Sequence, residues 1–447
     1  LPLDEVINQA RVIDRKRIQG ERLPPLSGLP MAVKDLALTK DIKTTMGSPL
    51  FADYIPKEDC LLVERLRANG AIVIGKTNTP EFGAGSHTFN TLFGVTRNPY
   101  DLARSAGGSS GGAAAALASG MLALADGSDM GGSLRNPAAF CNVVGMRPSF
   151  GRVPCWPDSS GNITQMSVDG PMARTVEDCA LLLETLAGPD ARDSGALNEE
   201  FYCDEKYLKS SVRDLKLGWA PKPASLPVEG DVLHALENSI ATLSELCFSI
   251  VEIELSELTD SMAIFSTLRA AIYASLYGNL YRTSPEAFKP ALAKNIRIGL
   301  NTSQSEIDLA KRNRIRIMGS LNNLFTDFDY LILPVTQVSP FFVETEFPQK
   351  VDGQKMSNYF EWMSSCCILS PFGLPCISVP GGFTDDGLPT GLQIVGKRGD
   401  DKGVLKLAYA FQQATQHWQS QGNLKVALSE SLNSFERSAA RDLIPVQ

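Results

Sequence analysis

The chain has 447 residues, of which 43% are hydrophobic and 21% charged, a composition typical of a globular protein with room for an enclosed active site. Its formal net charge of −8 argues against nucleic acid as a main partner, because phosphate binding requires a basic face. The nine cysteines lack CxxC spacing and no apolar run is long enough to span a bilayer, which argues against metal, redox-motif and membrane-spanning classes and predicts a reducing, cytoplasmic location.

Helical and extended patterns alternate along the chain. Helices are predicted at 4–18, 59–70, 113–120 and 174–187 and dominate from 231 to 325, and buried strands are predicted at 71–74, 121–125, 215–219, 330–333 and 377–379. This alternation predicts an α/β protein in which a sheet is covered by helices. We interpret residues 1–447 as one domain, with a helical elaboration at about 228–326 and a peripheral C-terminal tail at about 419–447.

Residues 70–77 match the phosphate-binding pattern GxxxxGK followed by Ser or Thr. That motif works only when its four middle residues form a loop whose N–H groups face phosphate. Here the middle residues are Ala-Ile-Val-Ile, which favour a core strand, and the Thr-Asn-Thr-Pro run that begins at 77 is typical of a turn. A nucleotide-binding protein that uses this segment is therefore a less favoured alternative, as is a catalytically inactive binding scaffold.

Two clusters of glycine and serine stand close together in the chain. They are Gly-Gly-Ser-Ser-Gly-Gly at 107–112 and Gly-Ser-Asp-Met-Gly-Gly-Ser at 127–133. The predicted helix between them travels ~14 Å and the predicted strand returns ~17 Å, at about 1.5 and 3.3 Å per residue. This geometry predicts that Ser109 and Ser133 become neighbours. The alternative is a tight turn in which small residues pack against the sheet.

A serine nucleophile requires a base, because a free hydroxyl reacts poorly near neutral pH. Of the three histidines only His87, in a turn-rich segment, is a candidate, since His234 and His417 lie in polar helical stretches. Lys34 fits better, because the apolar residues around it should draw its amine out of water and lower its pKa. The alternative for Lys34 is an ion pair with Asp35.

The chain resembles the amidase signature family of serine hydrolases. The resemblance covers about residues 27 to 418 and is densest at 94–154. Its motifs are Gly-Leu-Pro-Met-Ala-Val-Lys-Asp at 28–35, Gly-Gly-Ser-Ser-Gly-Gly at 107–112, Gly-Gly-Ser-Leu-Arg-Asn-Pro-Ala at 131–138, Gly-Leu-Pro at 373–375 and Gly-Leu-Pro-Thr-Gly-Leu-Gln-Ile-Val-Gly at 387–396. Several long motifs in the right order make this signal far more specific than a single short pattern.

The resemblance implies a fold and a set of catalytic roles. The fold would be a single α/β/α unit with a large mixed β-sheet covered by helices. Ser133 would be the nucleophile, Ser109 the bridging acid and base after a cis peptide bond at Gly108, and Lys34 the final base. The oxyanion hole would be formed by the backbone N–H groups of Met130, Gly131 and Gly132. The supporting residues would be Ser110, Asp129 and Arg135.

These roles predict an amidase that hydrolyses a carboxylic amide to an acid and ammonia or an amine, without metal or organic cofactor. The predicted partner is a small-molecule amide, with neither nucleic acid nor membrane, and the oligomeric state is open, a homodimer included. The alternative is the A subunit of a tRNA-dependent amidotransferase, although residues 165–172 favour a free-standing amidase. Aromatic residues between 341 and 362 suggest an apolar or aryl acyl group, with simple core packing an equal alternative.

Overall fold

A computed structural model describes residues 1–157 and 166–420. Its strands are, in chain order, β1 (Pro30–Lys34), β2 (Ile72–Thr77), β3 (Phe89–Asn90), β4 (Gly94–Val95), β5 (Arg97–Asn98), β6 (Asp101–Ser105), β7 (Leu124–Asp129), β8 (Val144–Arg147), β9 (Val168–Ala173), β10 (Lys216–Trp219), β11 (Ser249–Glu252), β12 (Tyr330–Pro334), β13 (Lys350–Val351), β14 (Gln354–Lys355), β15 (Cys376–Phe383) and β16 (Pro389–Val395). Its α-helices are α1 (Leu3–Ile18), α2 (Leu61–Ala68), α3 (Gly111–Ala118), α4 (Arg135–Phe140), α5 (Val176–Leu186), α6 (Glu205–Leu208), α7 (Gly230–Leu246), α8 (Ser261–Thr283), α9 (Pro290–Asn301), α10 (Gln304–Asp327), α11 (Ser364–Cys367) and α12 (Asp401–Thr415).

Eight strands form the central sheet in the order β11-β10-β12-β16-β15-β8-β9-β7. Strands β11, β10 and β12 run parallel, and every neighbouring pair from β12 to β7 is antiparallel, so the sheet is mixed as predicted. Strand β7 is an edge strand of this sheet, and a separate parallel pair, β1 and β2, lies beside it. The Asp126 carboxylate of β7 accepts a hydrogen bond from the Lys34 backbone N–H of β1. The N-terminal strand pair is therefore attached to the sheet at the strand that leads to Ser133.

Strand β12 shows why helices cover both faces of the sheet. Its five residues are all buried, and neighbouring side chains point to opposite faces. Ile332 joins a core cluster with residues of α5, α7 and α12, whereas Leu331 and Leu333 join a second cluster with residues of α8 and α10. The result is the three-layer α/β/α arrangement.

The structure confirms the helices predicted at 4–18, 59–70 and 174–187 and the strand character of 71–74. The strand predicted at 121–125 is wrong in its bounds, because β7 begins at Leu124 and continues through two acidic residues to Asp129. The helix between the two clusters also begins two residues earlier, at Gly111. The range 228–326 contains strand β11 of the central sheet as well as helices.

Two predicted features fall wholly or partly outside the described residues. They are the C-terminal tail beyond residue 420 and the first residue of the 165–172 segment. In the described ranges, no helix is long and apolar enough to cross a membrane.

Candidate active site

The Lys34 amine lies at the end of β1, under the two glycine- and serine-rich clusters. Its Nζ donates hydrogen bonds to Ser109 Oγ and Ser110 Oγ, each at 2.8 Å, and to Ser128 Oγ at 3.0 Å. The side chain is only 1% exposed. The alternative ion pair with Asp35 is wrong, because the Asp35 carboxylate is bonded to Thr45 instead. The structure thus brings Lys34 and Ser109 together, and it also places Ser110, for which the resemblance implies only a supporting role, on the same amine.

Burial determines the protonation of this amine. It lowers the pKa of Lys34 to about 8, and the carboxylates of Asp126, Asp169 and Asp129 oppose that shift only in part. Burial disfavours the charged form of a lysine because an ammonium ion loses its hydration. A substantial share of Lys34 is therefore neutral in mildly alkaline solution, and a neutral amine has a lone pair that can accept a proton from a hydroxyl.

The two serine-bearing clusters meet above Lys34. The Ser110 N–H donates to the Ser133 carbonyl at 3.2 Å, and Ser109 follows a cis peptide bond from Gly108. Ser109 is 2% exposed, whereas Ser133 is only partly buried. Within residues 1–157 and 166–420 the Ser133 hydroxyl has no hydrogen-bond partner. Ser133 is therefore more accessible to a ligand than Ser109 or Ser110, and unlike the partly buried Ser128 its hydroxyl does not contact the Lys34 amine.

A buried ion cluster holds the loop before Ser133 in place. The Asp129 carboxylate accepts hydrogen bonds from Arg135 Nε at 3.0 Å and from the Leu134 N–H at 3.2 Å, and Arg147 approaches it at 3.3 Å. Burial alone would raise the pKa of Asp129, but the Arg135 and Arg147 guanidinium groups and the Gly132 N–H together outweigh it and hold that pKa below its usual range. Asp129 is thus ionised at ordinary pH values, and its contacts with Gly132, Leu134 and Arg135 tie the loop to α4.

The three predicted oxyanion donors do not have the same environment. The Gly132 N–H donates to Asp129 Oδ1 at 2.7 Å, so it serves the loop rather than an incoming oxygen. Met130 and Gly131 have N–H groups without a hydrogen-bond partner in the part of the chain that the structure describes. A Cβ on Gly131 would approach Phe265 Cζ to 2.7 Å, so this loop has room only for glycine at that position. Two of the three predicted donors, those of Met130 and Gly131, are thus not used by any other group of the described chain.

His87 does not act with these serines. Its Nδ1 lies 2.7 Å from Ser105 Oγ and its Nε2 lies 3.1 Å from the Val343 carbonyl. A carbonyl can only accept, so Nε2 carries the proton and Nδ1 accepts from the hydroxyl. Burial lowers the pKa of His87 to about 4, which keeps the ring neutral. The Ser–His–Asp alternative therefore loses its only candidate base.

Sequence reasoning missed two residues of β7 that face Lys34. Ser128 Oγ is a third hydroxyl on the amine, and the buried Asp126 carboxylate accepts the Lys34 backbone N–H at 3.1 and 3.3 Å. Positions two apart in a strand share a face, so the pair shows which face of β7 lies toward β1. That periodicity was the only available signal. In the described residues, no group of three or more His, Cys, Asp or Glu side chains is arranged to hold a metal ion.

A model of the amidase family, described simply as Amidase, matches residues 2–405. The chain belongs to the amidase family. Two curated relatives are named as the A subunit of glutamyl-tRNA(Gln) amidotransferase. The one from Moorella thermoacetica is 34% identical over 95% of this chain and 90% of its own length, and the one from Carboxydothermus hydrogenoformans is 35% identical over 92% and 88%.

Solved structures of other amidases share the fold. A bacterial aryl acylamidase of the amidase signature family superposes with a TM-score of 0.84 at 29% identity, covering 93% of this chain and 89% of its own. The A subunit of glutamyl-tRNA(Gln) amidotransferase from Thermotoga maritima superposes with a TM-score of 0.75 at 28% identity, covering 88% and 84%. These comparisons confirm both the predicted family and the predicted amidase signature fold.

Proposed function

We propose that this amidase cleaves amide C–N bonds through a seryl acyl-enzyme, with Ser133 as nucleophile, Ser109 as relay and Lys34 as base. The observation that carries the proposal is the buried Lys34 amine, bonded to Ser109 at 2.8 Å and with its pKa lowered to about 8. A lysine can act as a general base only when it is neutral, and burial supplies that condition. The contact between the Ser110 N–H and the Ser133 carbonyl joins the relay segment to the nucleophile segment.

The proposed reaction begins with two proton transfers. Ser133 passes its proton to Ser109 as its oxygen attacks the amide carbon, and Ser109 passes its own proton to neutral Lys34. The carbonyl oxygen becomes an anion, which the free N–H groups of Met130 and Gly131 stabilise by roughly 3 kcal/mol each. Acting together, these steps form the C–O bond of a tetrahedral intermediate without creating an exposed ion.

The same relay then works in reverse. The Lys34 ammonium returns a proton through Ser109 to the amide nitrogen, since an amine leaves poorly as an anion, and the C–N bond breaks. Water attacks the resulting ester of Ser133, giving its proton to the relay, and the acid leaves as Ser133 regains its hydrogen. Lys34 ends the cycle neutral, so the sequence consumes one amide and one water.

Two settings for this chemistry are candidates. The curated relatives favour the A subunit of a tRNA-dependent amidotransferase, in which the amide is glutamine and the ammonia passes to a partner subunit. The likeness to an aryl acylamidase favours a free-standing enzyme that acts on small amides. Glutaminase activity that depends on partner subunits, ATP and glutamyl-tRNA would identify the first setting, and efficient turnover of small amides by the isolated chain, as monomer or homodimer, would identify the second. Eight of the cysteines, all but Cys155, are free thiols, which suits a cytoplasmic location in either setting.

The decisive experiment is a panel of primary, aryl and fatty amides together with glutamine. Wild type is compared with Ser133→Ala and Lys34→Ala, and with the exposed-site controls Ser244→Ala and Lys206→Ala. We expect both site variants to lose hydrolysis while they remain folded, and both controls to retain it. Full activity in folded Ser133→Ala would exclude Ser133 as the nucleophile.

A further inference from the structure

Arg269 on α8 is a buried cation without an acidic partner. Its side chain is 3% exposed, and it donates hydrogen bonds to Asn295 Oδ1 at 2.8 Å and to the Tyr359 hydroxyl at 2.5 Å. Both acceptors are neutral, and no carboxylate of the described chain lies within ion-pair distance of the guanidinium. Because arginine offers five N–H donors in a rigid fork, these two bonds leave part of its capacity for a ligand.

The helix places Arg269 beside the proposed oxyanion loop. Phe265 lies four residues earlier and therefore on the same face of α8, about one turn away. The Phe265 ring contacts the loop at Gly131, where a Cβ would come within 2.7 Å of Cζ. Arg269 thus lies one helical turn beyond the residue that touches the loop.

One turn further along the same face of α8, Tyr273 lies near the segment that contacts Ser109. Tyr273 lies four residues after Arg269, and its hydroxyl approaches the Phe82 carbonyl at 3.4 Å. The adjacent Gly83 lies against the relay serine, since a Cβ there would be 3.5 Å from Ser109 Oγ. Arg269 is therefore flanked along α8 by one residue that contacts the oxyanion loop and another that reaches the segment beside Ser109.

Aromatic rings surround the guanidinium but leave its charge unneutralised. Arg269 Cζ lies 4.5 Å from the centre of the Tyr273 ring, 5.2 Å from that of Tyr359 and 5.3 Å from that of Phe360. Two of the aromatic residues predicted between 341 and 362 to line an acyl pocket, Tyr359 and Phe360, thus lie against a positive charge. Cation–π contacts offset part of the cost of burying a cation, yet an anion that also forms hydrogen bonds offsets more.

We infer that Arg269 forms a carboxylate-binding subsite on the acyl side of the catalytic serine. On this inference, which rests on the proposed function, the preferred substrate is a primary amide whose acyl chain ends in a carboxylate. Because Phe265 touches the oxyanion loop and lies only one helical turn from Arg269, we expect the preferred acyl chain to be short. The Tyr359 hydroxyl orients the guanidinium, and the surrounding rings exclude water from the ion pair.

The test compares charged and neutral substrates of one shape. Succinamate and glutaramate are assayed beside the amides in which an isopropyl group replaces the carboxylate. We expect wild type to prefer the charged member of each pair, and Arg269→Gln to lower kcat/KM for it by about 10- to 100-fold, the range expected for hydrogen bonds to a charged group, while the neutral member changes little. Arg282→Gln, an exposed site on the same helix, is the control and should keep the wild-type ratio.

Two further variants keep the inference testable if Arg269→Gln fails to fold. Arg269→Lys keeps the charge without the fork, and Tyr359→Phe removes the hydroxyl that orients it, so each should lower the charged-to-neutral ratio by less than Arg269→Gln would. A wild type that hydrolyses both members equally would overturn the subsite, as would variants that slow both members alike. Either result leaves Ser133 in its proposed role, which only the Ser133→Ala assay decides.

Discussion

Two neighbouring strands of this amidase each carry a lysine near their C-terminal end, one buried and one half-buried, and only the buried one contacts the serine clusters. Lys34 and Lys76 lie on the paired strands β1 and β2, one residue out of register. Burial lowers the pKa of each amine to about 8. Lys34 donates to three serine hydroxyls, whereas Lys76 donates to the Ala37 carbonyl and to Thr39 Oγ1.

The difference lies in what each neighbour can do with a proton. A serine hydroxyl can give its hydrogen to Lys34 and take another from Ser133, so the contact can relay. The Ala37 carbonyl has no hydrogen to give, and the Thr39 hydroxyl already donates to that same carbonyl at 3.0 Å. A lowered pKa therefore does not by itself make an amine a catalytic base. The amine must also contact a hydroxyl that can give it a proton and take another from the nucleophile. Lys76 is expected to hold the 35–39 turn in place.

Replacing each lysine by methionine gives the largest expected contrast. Lys34→Met should lower kcat by about 10²- to 10⁴-fold, the usual contribution of a general base, because no other amine contacts Ser109 in the part of the chain that the structure describes. Lys76→Met should change kcat by less than about tenfold and act mainly on thermal stability. Single-turnover rates and thermal melts of both variants provide the measurement. A folded Lys76→Met as inactive as Lys34→Met would show that the two amines act together.

The pH profile sharpens the comparison, because a different carboxylate acts most strongly on each lysine: Asp126 on Lys34 and Asp35 on Lys76, although Asp126 also acts on Lys76. Lys34 must be neutral to act, so kcat/KM should rise with pH through a midpoint near 8. Asp126→Asn removes the carboxylate that most favours the Lys34 ammonium, so its pKa should fall and the midpoint should move to lower pH. Asp35→Asn, which removes the main charge near Lys76, should leave the midpoint unchanged.

The lowered pKa of Lys34 should also make the free energy of folding depend on pH. The folded pKa of Lys34 lies below its unfolded value of 10.5, so the folded state binds fewer protons between about 8 and 10.5. The contribution of Lys34 therefore opposes folding most fully below pH 8, and this opposition declines as pH rises toward 10.5. In the pH profile of kcat/KM, Asp35→Asn is the control. If it moves the midpoint of that profile as far as Asp126→Asn does, the two carboxylates do not have separate roles.

The motifs predicted the family and the fold, but not every residue around the Lys34 amine. The sequence predicts a strand before Ser133 only over residues 121–125, where the apolar run ends. The structure continues β7 through Asp126 because the backbone N–H of Lys34, 92 positions away in the chain, satisfies that carboxylate. Such a partner is invisible to any local pattern, since only the folded chain brings β1 beside β7.

Arg269 was missed for the same reason. In the sequence it is one more cation in a helix whose apolar residues are spread around its circumference, and nothing nearby suggests that it is buried. Its partners Asn295 and Tyr359 lie 26 and 90 positions away. Glycine and serine clusters carry their geometry in local backbone requirements and can be recognised in one segment, whereas a side chain that acts through distant partners cannot.

The smallest contrast concerns the hydroxyls rather than the amines. Ser128→Ala removes one of the three hydroxyls on Lys34 and should lower kcat about fivefold, the effect of about 1 kcal/mol from one hydrogen bond, since Ser109 still carries the relay. Thr39→Val removes the matching hydroxyl beside Lys76 and should leave kcat unchanged while it costs about 1 kcal/mol of folding free energy. Steady-state rates and denaturant titrations of both variants test this. An unchanged kcat in Ser128→Ala would restrict the working contacts of Lys34 to the two serines of the first cluster, so that Ser128 would serve only to hold the amine in place.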